Sequence, residues 1–243
     1  MTLETFFEKF DQFADAPDAV VKMRELLLEF AVQGKLVPQD PNEEPASKLL
    51  DRISKEKLGL SRNGEIGKQH LPPSIDEGDV AYALPEGWIW TRWDTVAKKI
   101  GDIDHKMPDA VTEGIPYVSP RDFLPGNRID FDQAKRISYD DFLRLAAKIK
   151  PELGDLIYPR YGTIGECRLV TVERDFLASY SCAVIKTMPS LVEARFQYFF
   201  SISALCRNQA RAAENKTTQA NVGIKSIKEF YSPSRRSPSK SGS

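Results

Sequence analysis

The sequence has little of what metal sites, disulfide scaffolds and membrane spans require. It holds three cysteines and two histidines in 243 residues. Cys167, Cys182 and Cys206 are widely spaced, no Cys-x-x-Cys occurs, and His70 and His105 stand apart, so the close ligand spacing of a zinc site is missing. Thiols placed this way are expected in the core, because free cysteine is among the most buried residue types. No apolar run approaches the ~20 residues that a membrane helix needs. The opening MTLETFFEKFDQF carries Glu4, Glu8 and Asp11 and no basic leader segment, unlike a signal peptide. These absences predict a cytoplasmic protein with no membrane partner and no structural disulfide.

Catalytic motifs are missing too. There is no G-x-x-x-x-G-K, no G-x-G-x-x-G and no G-x-S-x-G elbow. The Gly162-Thr163-Ile164-Gly165 stretch is too short to cradle a phosphate and suits a turn. Glu214-x-Lys216 is nuclease-like, but no acidic partner lies a sensible distance upstream; Pro108-Asp109 is too remote. The sequence therefore predicts no enzyme, no catalytic residue and no metal site. One-sided charge is lacking as well. The net charge of −1 divides into −6 over residues 1–84, +2 over 85–230 and +3 over 231–243. A +2 segment does not bind nucleic acid by charge alone, so a binding face has to be a local patch.

What remains is ordinary globular material, 41% hydrophobic and 28% charged. Leu3, Phe6, Phe7, Phe10 and Phe13 follow helical spacing, as do Val20, Met23, Leu26, Leu27 and Phe30, with Gly34 as a helix stop. Residues 36–45 hold three prolines and read as a loop; 46–60 read as a further helix. Such helices suit a bundle that packs on itself or a stripe that docks on a partner. Residues 61–80 are polar and rich in Gly and Pro, which places a linker there. The expected organisation is α+β: a helical region (1–62), a linker (63–82), a mixed α/β domain (83–231) and a disordered tail (232–243). In the domain, Trp88 and Trp90 share one strand face. A short helix is expected over 93–100, strands over 115–118 and 181–188, a short helix over 139–147, and one long helix over 194–213.

Residues 154–166, GDLIYPRYGTIGE, draw the eye first. Leu156, Ile157 and Tyr158 read as a buried strand that Pro159 ends, and Gly162 and Gly165 permit a tight reversal. Residues 167–172 then alternate like a returning strand. Two readings are open: a well-made hairpin, or a rigid tip that aims Arg160 and Tyr161 outward at a ligand. In the first, Arg160 braces its own hairpin through Asp155 or Glu166. Further cations gather at Lys98, Lys99, His105 and Lys106 around one loop, and Arg121 lies in a Ser-Pro-Arg-Asp turn. Lys216, Thr217, Thr218 and Gln219 form a polar loop after a helix. Lys and Arg suit phosphates and guanine, and Gln suits adenine edges; each is equally at home as a solvated surface residue.

Residues 24–57, with AVQGKLVPQD at 31–40 and EPASKLL at 44–50, closely resemble the helix-loop-helix before a target-recognition domain in specificity subunits of type I restriction–modification systems. LPEGWIW at 84–90 resembles the opening of that domain. GIPYVSPRD at 114–122 and residues 154–166 resemble its recurring internal signatures. The resemblance implies a DNA-recognition subunit that catalyses nothing. Its partners would be double-stranded DNA, methyltransferase (M) subunits and a restriction (R) subunit. S-adenosylmethionine, ATP and Mg2+ would sit on those partners and none on this chain. Under it, Lys98, Lys99, His105, Lys106, Arg121, Arg160, Tyr161, Lys216, Thr217, Thr218 and Gln219 become candidate DNA contacts. The chain departs from the family in having one recognition domain and a C-terminus, SRRSPSKSGS, that reads as truncated or frame-shifted. A module that docks the methyltransferase subunit without reading DNA is the alternative.

Overall fold

The computed structural model describes residue 5 and residues 17–40, 42–68, 75–104, 106–215 and 221–235. The apolar stripe at residues 3–13 lies outside them, apart from Thr5. The fold is mixed α+β, as the sequence predicts.

Its centre is a four-stranded sheet in the order β2-β10-β7-β8, where β2 is Lys99–Gly101, β7 Leu156–Pro159, β8 Arg168–Leu169 and β10 Cys182–Lys186. All its pairings are antiparallel. Strand β7 reads apolar at every position because both of its faces are covered. Leu156 and Tyr158 join Ala183, Ile185 and Ile100 in one core; Ile157 joins Cys182 and Val184 in another. The period-2 alternation of a strand thus divides one sheet between two hydrophobic clusters.

The second cluster is roofed by a smaller sheet. It contains β3 (Ile115–Val118), β6 (Lys135–Ile137) and β9 (Leu177–Ala178), in the order β6-β3-β9 with β3 and β9 parallel, and between β3 and β6 the chain forms an antiparallel pair, β4 (Phe123–Leu124) and β5 (Arg128–Ile129). Helix α4 (Tyr139–Ala146) closes it with Phe142 and Leu145. Ser138 caps that helix by accepting from the Asp141 amide at 3.1 Å.

The first cluster holds the helices. Helix α1 (Ala19–Val32) ends in a Schellman turn, with Lys35 N donating to Phe30 O at 2.8 Å and Gly34 N to Ala31 O at 3.1 Å. Gly34 takes φ +70, and a Cβ there would meet the Trp88 ring at 2.9 Å. Helix α2 is Ala46–Arg62. Val32, Leu49 and Ile53 of these helices lie in the same core as Trp93, Tyr158 and Phe200. Polar contacts join the parts as well. Glu29 accepts from the Ala204 amide at 2.7 Å, Lys57 donates to Asp94 O at 2.5 Å, and Trp88 Nε1 donates to Gln39 Oε1 at 2.8 Å. The composition boundary at residues 63–82 therefore does not separate two cores among the described residues.

Several elements differ from expectation for local reasons. The helix expected over 93–100 is one turn, α3 (Trp93–Val96), because residues 99–101 pair with β10 instead. The helix expected over 194–213 breaks into α5 (Ala194–Ile202) and α6 (Ala204–Ala212) at Ser203. The Ser203 hydroxyl donates to Phe200 O at 2.7 Å and accepts from the Cys206 amide at 3.3 Å, ending one helix and capping the next. After α7 (Ile224–Glu229) comes β11 (Tyr231–Ser234), which pairs antiparallel with β1 (Ile89–Arg92), so Ser232, Pro233 and Ser234, expected in a disordered tail, lie in a strand. Arg235 then binds Glu43 and Gln39. Residues 236–243 lie outside the described residues.

All three cysteines are free and buried, as expected. Burial pushes the thiols of Cys167 and Cys182 up to about 12, and raises Cys206 for the same reason. A raised acid keeps its full stabilising effect below its unfolded pKa, about 8.5 for a thiol, and loses it as pH climbs toward the folded value. At pH 10 each thiol is expected to cost about 2 kcal/mol relative to pH 7.5. Lys57 and Lys99, both lowered chiefly by burial, act in the opposite sense as pH rises toward the unfolded lysine value of about 10.4, but Tyr82, Tyr117, Tyr158 and Tyr198, all raised by burial, act with the three thiols. Urea unfolding at pH 7.5 and 10 checks this; an unchanged midpoint would show that the thiols ionise freely in the fold.

Candidate nucleic-acid interface

The hairpin from residues 154 to 169 is present, but Arg160 is not at its tip. The β7–β8 ladder is short, pairing Leu156 with Leu169 and Ile157 with Arg168. The reversal falls at Gly162 (φ +75) and Gly165 (φ +93), two residues and more beyond Arg160. Arg160 instead continues the pairing of β7 past Pro159, donating its amide to Ser181 O at 2.8 Å. Its side chain turns inward and is 5% exposed at the residue level. The expectation of an outward-aimed cation is corrected: a buried guanidinium must spend its donors on protein acceptors.

Those acceptors come from three separate stretches. Nη1 pairs with the Asp102 carboxylate and donates to Tyr180 O at 3.3 Å; Nε donates to Val222 O at 3.0 Å. Val222 returns its own amide to Arg160 O at 2.9 Å. The bracing carboxylate is therefore neither of the two considered from sequence. Asp155 accepts the Glu152 amide at 2.7 Å and the Thr187 amide at 3.0 Å and pairs with Lys186, and Glu166 lies 3.6 Å from Arg168. Nothing in the local sequence marks Asp102, since its partner lies 58 positions away.

This clasp gathers several of the candidate contacts. Tyr161 follows it, half-buried, with the Arg160 guanidinium 5.6 Å from its ring centroid and the Tyr180 ring 6.1 Å away at an edge angle. Tyr161 bridges to Asn221, and Asn221 bridges to Asn215, so the feet of the stretch 216–220 are tied beside the hairpin. Lys216, Thr217, Thr218 and Gln219 themselves lie outside the described residues, as does His105. Asp102 leads into the loop that carries exposed Lys106. That loop runs along α4 and β6, with Asp104 3.2 Å from Lys148 and the Val111 amide on Arg136 O at 3.0 Å. Arg121 is exposed on a one-turn helix (Pro120–Asp122) whose Ser119 and Asp122 form a capping box. It follows β3 at the end where the Ser179 amide donates to Val118 O at 2.7 Å, one residue from Tyr180.

Lys98 and Lys99 are not part of this end. Lys99 stands opposite Lys186 on β10, whereas Arg160 stands opposite Ser181. Five strand residues separate those levels, about 16 Å. Lys98 is 3.2 Å from Glu65. Lys99 donates to Lys148 O at 2.6 Å, and its ammonium is held below the usual lysine range by burial and then by Lys148, Lys228 and Lys186. These lysines lie several residues along β10 from Arg160, and Lys99 shares Lys148 as a neighbour with the loop that carries Lys106. Among the described residues there is no group of three or more His, Cys, Asp or Glu that could hold a metal, and no helix long and apolar enough to cross a membrane.

The geometry defines a class first: a mixed α+β module in which loops from separate strands are tied together at one sheet end, with aromatic and basic residues at their feet. The comparisons then specify the relationship. No family model matches the chain. It is 52% identical over 85 residues to the specificity subunit of the type I restriction enzyme EcoAI of Escherichia coli, a match covering 35% of this chain and 14% of that subunit. It is 53% identical over 78 residues to the EcoEI specificity subunit of the same organism, covering 32% and 13%. These matches span about a seventh of the curated relatives. Among solved structures it is similar to the S subunit of a type I restriction–modification system from M. genitalium, with a TM-score of 0.40, 16% identity, and 60% of this chain and 34% of that one covered. The HsdS subunit from Thermoanaerobacter tengcongensis gives a TM-score of 0.44 at 14% identity, covering 79% and 42%. The resemblance to specificity subunits of type I restriction–modification systems, read from the sequence, is borne out by the curated relatives.

Proposed function

We propose that the chain is a non-catalytic DNA-recognition module of a type I restriction–modification complex. It reads a target half-site on double-stranded DNA and directs methyltransferase (M) and restriction (R) subunits to it. The single observation that carries this reading is the 52% identity over 85 residues to a type I specificity subunit. The clasped loop end supports it, because a reading surface needs contacts held rigidly by the scaffold. In this reading Lys106, Arg121, Tyr161 and the stretch 216–219, with His105, approach the bases or the adjacent phosphates. Lys98 and Lys99, several residues along the sheet, suit phosphates alone. Arg160 is reassigned from base contact to support. In this reading S-adenosylmethionine, ATP and Mg2+ belong to the partner subunits.

Selection of a randomised duplex library on the purified chain, repeated at two salt concentrations, tests the reading. The expected result is enrichment of one short motif, with Lys99→Ala weakening all duplexes alike and lowering the salt slope by about one. Equal retention of every sequence, together with capture of the methyltransferase subunit, would replace the proposal with a docking module that does not read DNA.

A further inference from the structure

We propose that the Arg160–Asp102 ion pair positions the recognition loops relative to one another, so that base discrimination depends on a pair of residues that touch no DNA. This rests on the DNA-reading function proposed above. Residue 160 alone is bonded, through main chain and side chain together, to residues 102, 180, 181 and 222. Each of those positions opens onto a candidate contact. Asp102 stands four residues before Lys106. Val222 follows Asn221, which closes the stretch 216–220 through its bridge to Asn215 and is itself bridged to Tyr161. Ser181 and Tyr180 follow Ser179, whose amide is bonded to β3 just ahead of Arg121.

A core does not need an ion pair to hold together. A buried pair is often replaced by apolar residues of similar size with little loss of stability. A planar guanidinium adds direction, because its donors fix several acceptors at set angles, which a lysine or an apolar side chain does not do. The side chains of Arg160 and Asp102 are 7% and 15% exposed, so bulk water does not substitute for either partner. The pair sits where loops far apart in sequence have to be kept in register, and that is where directional bonding is useful.

The double variant Arg160→Met/Asp102→Leu and the single variant Asp102→Asn separate positioning from simple bracing. Both are compared with the wild-type chain for melting temperature and for affinity ratio between the duplex that library selection enriches and its scrambled counterpart. The expected result is a fall of at least tenfold in that ratio with an unchanged salt slope, including in whichever variant keeps its melting temperature. If the double variant does not fold, Asp102→Asn decides on the same ratio. A retained ratio, whatever the melting temperature, would overturn the proposal and leave the pair as a fold brace. If the wild-type chain prefers no sequence, the DNA-reading function fails, and the clasp is then judged without DNA by amide hydrogen exchange in Asp102→Asn. Faster exchange at Arg160, Asn215 and Val222 together supports one coupled unit; a change confined to Arg160, or none, overturns it.

Discussion

Trp93→Ala is expected to lower the unfolding free energy by about 5 kcal/mol, which for a chain of this size means a fall in melting temperature on the order of 10–20 °C. Trp93 is fully buried, and its ring lies at edge angles to Tyr158 at 5.6 Å and Phe200 at 5.1 Å and stacked over Phe230 at 6.4 Å. Removing an indole from such a site costs about 3–5 kcal/mol in transfer and cavity terms. The Nε1–H also donates to Gln197 Oε1 at 2.7 Å, and Gln197 is itself 2% exposed. Its orphaned amide adds about 1–3 kcal/mol. Trp93→Phe keeps most of the ring burial and isolates the second cost. Thermal and urea unfolding of both variants check the partition; a loss below about 1 kcal/mol for Trp93→Ala would mean that this core is not where the stability lies.

Arg160→Ala is expected to cost about 3–5 kcal/mol, because it breaks a mostly buried ion pair with Asp102 and removes the guanidinium donors that bind the carbonyls of Val222 and Tyr180. The corresponding fall in melting temperature is about 10 °C. Glu166→Ala, at an exposed and loosely paired carboxylate, is expected to change stability by less than about 1 kcal/mol. The contrast between the two decides between bracing and base contact. A guanidinium that contacts DNA and not Asp102 would leave the melting temperature unchanged on removal and would relax the preference at a single base pair.

Much of this protein is decided by local sequence alone. Strand Leu156–Pro159, helix Tyr139–Ala146, the stop at Gly34 and the reversal at Gly162 and Gly165 are all visible as patterns. Each depends on nearest-neighbour chemistry: apolar runs and periodicity, or a backbone free to take positive φ. The three thiols follow from composition in the same way. The relationship to type I specificity subunits rests on continuous stretches, which survive in sequence without reference to the fold. What tertiary structure alone decides is which residues face which. Residues 99–101 leave a helix because β10 offers them a ladder, residues 231–234 form a strand because β1 is there to pair with, and α1 and α2 share a core with the sheet across a linker that composition marks as a boundary. Arg160 shows the physical reason most directly. Its sequence neighbours make it a turn residue at a hairpin tip, but the direction of its side chain is set by Asp102, 58 residues earlier, and by Val222, 62 residues later. A buried charge takes the partner that the packed fold brings within reach, and no pattern along the chain names that partner in advance.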